Sequence, residues 1–142
     1  MSEVRNEIAQ LIAQFDQAVN LRDAELFASL WSEDSSWEIS GPRPMHVEGK
    51  SVIVETWTHM IAGTQWLFRG SFEGVISVNG DSATGNWPCV ERGVFADGTG
   101  YDNLAQYEDT YVRENGKWKF KSRKYVYFWL SSEPISGGPV KN

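Results

Sequence analysis

The stretch NGDSATGNWPCVERGVFADGTGYDNLAQYEDTYVRENGKW, residues 79–118, decides the fold. It holds three turn signals, Asn79-Gly80-Asp81, Asp97-Gly98 and Asn115-Gly116. Asn-Gly and Asp-Gly readily take the positive φ angles of tight hairpins, so each joins two antiparallel neighbours. The segments around them, about 66–78, 82–95, 100–113 and 117–130, therefore read as a four-strand antiparallel meander. Strands of that length must twist and bend, and Pro88 and the glycines mark places for bulges.

Upstream the periodicity changes. Val4, Ile8, Leu11, Ile12, Phe15 and Val19 form one face of an amphipathic helix over about residues 3–20. Asp23 stands as an N-cap, and Leu26, Phe27, Leu30 and Trp31 give a second, shorter helix its buried face. Ser35 to Ser40 is a short strand carrying Trp37 and Ile39, and Gly41-Pro42-Arg43-Pro44 stops it because proline removes ladder donors. A third helix covers about Ser51 to Ala62, with Ile53, Trp57, Met60 and Ile61 on one side. The fold class is α+β: about three helices packed in a strongly curved antiparallel sheet made of a short strand and a four-strand meander.

The 142 residues fit one domain, residues 1–130, followed by a Ser-, Pro- and Gly-rich tail, 131–142, expected to be a mobile arm. A net charge of −6 without any Lys- or Arg-rich run argues against nucleic acid and anionic membranes as partners. The single cysteine, Cys89, excludes an intrachain disulfide. The start MSEVRNEIAQ lacks a signal pattern, and no run approaches the roughly 18 apolar residues of a membrane span, so a cytoplasmic location is expected. Seven Trp, seven Phe and five Tyr exceed what a core this size needs, so some of them are expected to line a cavity.

Several tempting motifs fail. Gly49-Lys50-Ser51 resembles the end of a phosphate loop, but the required first glycine falls on Pro44. His46 and His59 have no Cys or carboxylate at a metal-ligand spacing, so no metal is expected. Cys89 reads as a small core residue.

Strand alternation is more informative. Ala83, Gly85, Trp87, Cys89 and Glu91 share one face, opposite Ser82, Thr84, Asn86 and Arg92, which places Glu91 inward. Tyr101, Asn103, Ala105, Tyr107, Asp109 and Tyr111 share a face, which places Asp109 inward as well. A bulge near Ser122-Arg123 would bring Arg123 within reach of Asp109. Such a pair is either a structural ion pair closing the sheet or the polar end of a ligand pocket.

Phe15-x-x-Ala18-x-Asn20-x-x-Asp23, Leu30-Trp31-x-x-Asp34, Gly80-Asp81-x-Ala83-x-Gly85, Tyr107-x-Asp109 and Asn115-Gly116-x-Trp118-x-Phe120-x-x-Arg123 together resemble the SnoaL-like branch of the nuclear transport factor 2-like superfamily. The resemblance implies a cone-shaped, barrel-like fold and admits polyketide cyclases, steroid isomerases, scytalone-type dehydratases, ring-hydroxylase small subunits and non-catalytic modules. It also implies a homodimer, in keeping with the aromatic residues near the last strand. The departures restrict the chemistry. The isomerases' first-helix tyrosine falls on Phe15; the scytalone dehydratases' Tyr-Asp pair falls on Val19-Asn20, one of their catalytic histidines on Trp66, and their pocket asparagine on Tyr107.

The expected function is cofactor-free acid/base chemistry, of isomerase, cyclase or dehydratase type, on a small hydrophobic and cyclic molecule. Glu91 or Asp109 would be the acid/base, and Tyr107 and Arg123 would position oxygen atoms. Trp37, Trp57, Trp66 and Trp87, with Asn20, would bind the ligand. An Asp held by Arg stays ionised and is a weak base, whereas an unpaired Glu among aromatic rings is a better one. The alternative is a ligand-binding or dimerisation module without turnover, or the small subunit of a ring-hydroxylating oxygenase.

Overall fold

The computed structural model describes residues 2–133 together with 136, 137 and 140. Helix α1 (Ser2–Leu21) and the short α2 (Ala24–Ser29) lead into strand β1 (Trp31–Ile39), then β2 (Met45–Glu48) and α3 (Lys50–Ala62). The remaining strands are β3 (Thr64–Ser71), β4 (Val75–Asn79), β5 (Ser82–Phe95), β6 (Gly100–Glu114) and β7 (Lys117–Ser131). Half of the expected mobile arm, 131–142, lies outside the described residues, and Ser131 closes β7. No helix among the described residues is long and apolar enough to cross a membrane.

The sheet runs β2-β1-β7-β6-β5-β3, with β4 also paired to β5. Its two ends are not bonded to each other, so it curls without closing, and the helices fill its hollow. The hairpins stand where the turn signals put them, and Asn115 and Gly116 both have positive φ, as a two-residue primed turn requires.

Four features depart from the sequence reading. The sheet is mixed, because β1 lies parallel to β7, with Trp37 opposite Arg123 and Ile39 opposite Tyr125. The 66–78 segment is two strands: β3 pairs with the second half of β5, and β4 with the first half. The break falls at Gly74, where a Cβ would come within 2.4 Å of the Asn86 carbonyl oxygen and 2.6 Å of the Trp87 ring. Finally, the chain past Pro44 turns back to form β2, antiparallel to β1, and Trp31 opens β1 instead of closing α2.

Phe15 of α1 organises the core. Its ring lies 5.5 Å from Phe27, 5.6 Å from Tyr107 and 5.6 Å from Phe120. Phe27 in turn stacks on Trp57 at 4.2 Å and 8°. Each such ring, fully buried, contributes about 1.5–3 kcal/mol. One polar contact seats α1 on the uncovered edge of β3. Asn20 Nδ2 donates to the Arg69 carbonyl at 2.9 Å, and the Arg69 amide donates to Asn20 Oδ1 at 2.8 Å. The side-chain amide thus does what a neighbouring strand would do. Asn20→Ala strips both partners from that backbone and should cost about 1–3 kcal/mol, measured by denaturant unfolding.

Candidate functional site

Inside the curled sheet, strand alternation brings a set of polar side chains onto the concave face, and two buried guanidinium groups organise them. The first is Arg123. It stands opposite Asp109 in the β6–β7 register, just beyond the bulge between Thr110 and Tyr111. Its Nε donates to Asp109 Oδ1 at 2.7 Å and its Nη2 to Oδ2 at 3.1 Å. The Tyr111 hydroxyl donates to Oδ2 at 2.7 Å. Both charged side chains are 0% exposed. Rings cover the guanidinium, with Tyr107 at 3.7 Å, Phe120 at 4.3 Å and Phe15 at 4.4 Å from its carbon. Burial pushes the Asp109 carboxyl above its ordinary range, against the pull of Arg123 and the Tyr111 hydroxyl. The expected lowering by Arg123 is thus outweighed by desolvation.

The second is Arg69 on β3, 1% exposed. Its Nη1 bonds to Asp16 Oδ1 of α1, and its Nε donates to Glu91 Oε1 at 3.1 Å. Burial works against this charge, but Asp16 and Glu91 more than offset it and hold the group protonated. Nη2 of Arg69 and Nη1 of Arg123 have no partner among the described residues. Glu91 Oε2 accepts from the Tyr101 hydroxyl at 3.0 Å, so both of its oxygens are engaged and it is not the unpaired base of the sequence reading. Asp16 accepts from Arg69 and from Ser71 Oγ, at 3.1 Å, on Oδ1 alone.

A cavity of about 340 Å³ opens beside α1, between that helix and the 71–76 segment. Ile12, Ile76 and Trp87 form apolar walls, Asp16 and Ser71 a polar end, and Arg5 and Glu73 are among the remaining lining residues.

The sequence-derived candidates are distributed unevenly around this arrangement. Asp109, Arg123 and Tyr107 come together in the interior. Tyr107 is buried, accepts from Trp37 Nε1 at 3.1 Å, and has its hydroxyl proton held more tightly by burial, against the pull of Arg123 and Arg69. Trp37 and Trp57 are buried among Phe27 and Trp31, where they serve the core. Trp66 is half-buried on β3, and Trp87 alone of the four lines the cavity. Asn20 bonds to backbone, and His46 and His59 are exposed. No group of three or more His, Cys, Asp or Glu among the described residues is placed to hold a metal ion.

Asp16 and Arg69 escaped the sequence reading. On β3 the hydrophobic alternation points the wrong way, because Phe68 faces out and Arg69 faces in. Asp16 borders the apolar stripe of α1 next to Phe15, and this was its one signal.

The two guanidiniums predict different mutant behaviour. Asp109→Asn leaves Arg123 buried without a countercharge and should cost about 3–5 kcal/mol in a denaturant melt. Asp16→Asn leaves Arg69 matched one-to-one with Glu91 and should stay within about 1 kcal/mol of the parent. Cys89, buried beside Arg69, has its thiol pushed up by burial, with the guanidinium pulling the other way. At pH 8 the folded protein should therefore leave a disulfide reagent unreacted, and unfolding should release the single thiol.

Comparison with known proteins places the chain. A SnoaL-like domain profile matches residues 1–124. No curated protein sequence matches it. Solved structures of the same fold include a proposed aromatic ring hydroxylase of Novosphingobium aromaticivorans, 22% identical with a TM-score of 0.87 over 92% of this chain and 94% of that one. A type 2 hexachlorocyclohexane dehydrochlorinase, LinA, is 20% identical with a TM-score of 0.84 over 99% and 94%. A proposed scytalone dehydratase of N. aromaticivorans is 19% identical with a TM-score of 0.79 over 94% of each chain. At these identities the likeness is one of fold. With the profile covering residues 1–124 of 142, the chain belongs to the SnoaL-like domain family of the nuclear transport factor 2-like superfamily.

Proposed function

We propose that the protein is a small-molecule enzyme that binds a ring-sized, largely apolar substrate beside α1 and works by acid/base chemistry, with Asp16 as the proton acceptor. One observation carries this reading. Of the inward carboxylates, Asp109 and Glu91 have both oxygens bonded to protein, whereas Asp16 lines a cavity and keeps Oδ2 without a partner among the described residues. Arg69 and Ser71 hold the other oxygen, which fixes the carboxylate's direction, and the apolar walls would exclude water once a ring fills the space. With both histidines outside, proton transfer in the interior falls to carboxylates. Two of the fold relatives are named for eliminations, loss of water and loss of hydrogen chloride, which fits a base working on a ring substrate.

Proton exchange tests the reading. Cyclic ketones with an exchangeable α-hydrogen, cyclohexenone first, are incubated with the protein in D₂O and followed by NMR. Deuterium uptake should exceed the buffer rate, fall by about 10²–10⁴-fold in Asp16→Asn, and vanish in Ala13→Trp, which fills the cavity from the exposed side of α1. Ligand shifts without exchange across the ketone panel would make the protein a binding module instead.

A further inference from the structure

The charges inside the cone do not balance. Asp109 is matched by Arg123 alone, but Asp16 and Glu91 share the single guanidinium of Arg69. Glu91 is further answered by the Tyr101 hydroxyl, a neutral donor, and Asp16 by the Ser71 hydroxyl, also neutral. Among the described residues one negative charge therefore has no positive partner of its own, and Asp16 is the member of the pair that lines the cavity. With the Asp16 side chain 14% exposed, water can hydrate the carboxylate when no ligand fills the cavity. A purely apolar ligand would displace that water and leave the oxygen dehydrated, which opposes its own binding. A neutral donor would satisfy the hydrogen bond and leave the charge. A cation supplies both, and Trp87 in the cavity wall offers an aromatic surface that also favours one.

We infer that this cavity selects a protonated amine carried on a small hydrophobic ring, with the ring among Ile12, Ile76 and Trp87, the ammonium beside the Asp16 carboxylate as its countercharge, and the C–H next to the nitrogen presented to Oδ2. The inference rests on the reading that the cavity beside α1 is the ligand site, and it names the class of ligand that site takes. Its volume of about 340 Å³ lies near the lower end of small-molecule pockets, roughly 300–1,000 Å³, and suits a single ring with a short arm. The lining is not biased against a cation, because it adds one acidic residue, Glu73, to one basic residue, Arg5, and the chain as a whole carries a charge of −6.

Three ligands of nearly the same shape test the idea by calorimetry or NMR titration at pH 7: benzylamine, benzyl alcohol and benzoate. The amine should bind at least tenfold more tightly than the alcohol, and benzoate should be weakest. In Asp16→Asn the amine's advantage should disappear while the alcohol still binds, and Ala13→Trp should weaken both. If the alcohol binds as tightly as the amine, or if the amine's advantage survives Asp16→Asn, the selection for amines is overturned while the cavity stands as a ligand site. If none of the three binds and Ala13→Trp changes nothing, the cavity reading is overturned and the amine with it.

Discussion

A guanidinium and a carboxylate that are both completely out of water can persist only if their surroundings are built around them, because the charges lose several kcal/mol of hydration each. The Asp109–Arg123 pair imposes that condition on much of this chain. It fixes the β6–β7 register at the point where the strands bulge. It requires Tyr111 to turn its hydroxyl inward, and it needs flat apolar faces against the guanidinium, which Tyr107, Phe120 and Phe15 provide. Phe15 is then committed to packing. Its ring is shared between the pair and the core around Phe27, so a hydroxyl at that position would compete with the contacts that seat α1 in the sheet.

This commitment leaves the centre of the cone to packing. With Tyr107 lying on Arg123 and accepting from Trp37, the centre of the cone is occupied by rings that hold the structure, and the tryptophans there belong to the packing. Reachable polar groups are displaced to the side, where α1 meets β3 and the turn after it. Arg69 belongs to both regions. Its guanidinium lies 5.4 Å from the Tyr107 ring centre and 5.2 Å from that of Phe15, while its donors reach Asp16 and Glu91. The same buried cation thus stiffens the core and aims the carboxylate at the cavity.

The elements that were legible in the sequence are those encoded locally. Asn-Gly and Asp-Gly fix the hairpins because the positive φ they tolerate is a property of two residues, and alternation along β5 and β6 places Glu91 and Asp109 inward because side-chain direction has period two. The β1–β7 pairing is invisible for the opposite reason: no turn joins the two strands, and their meeting depends on how far the meander curls. β2 was hidden behind Pro42 and Pro44, which end one strand without forbidding the next. Arg69 was missed because on a sheet with apolar residues on both faces the hydrophobic pattern does not identify the inner one, and Phe68 outside is larger than anything it would have predicted. The tryptophan excess was read as a cavity lining, yet an aromatic core that must cover a buried cation consumes rings on its own account.

The parallel contact between β1 and β7 has a temporal consequence. Ser40 and Tyr125 are bonded across a separation of 85 positions, and Gly41 lies under the Tyr127 ring. During synthesis the first strand and its tryptophans leave the ribosome long before their partner exists, whereas the hairpins behind them can close as they emerge. The α1–β1 segment must wait, with the cover of Trp31 and Trp37 incomplete, until β7 arrives and supplies Phe120 and Arg123. The interval between those two events is when the nascent chain is most exposed to aggregation, and its length is set by the register of one pair of strands.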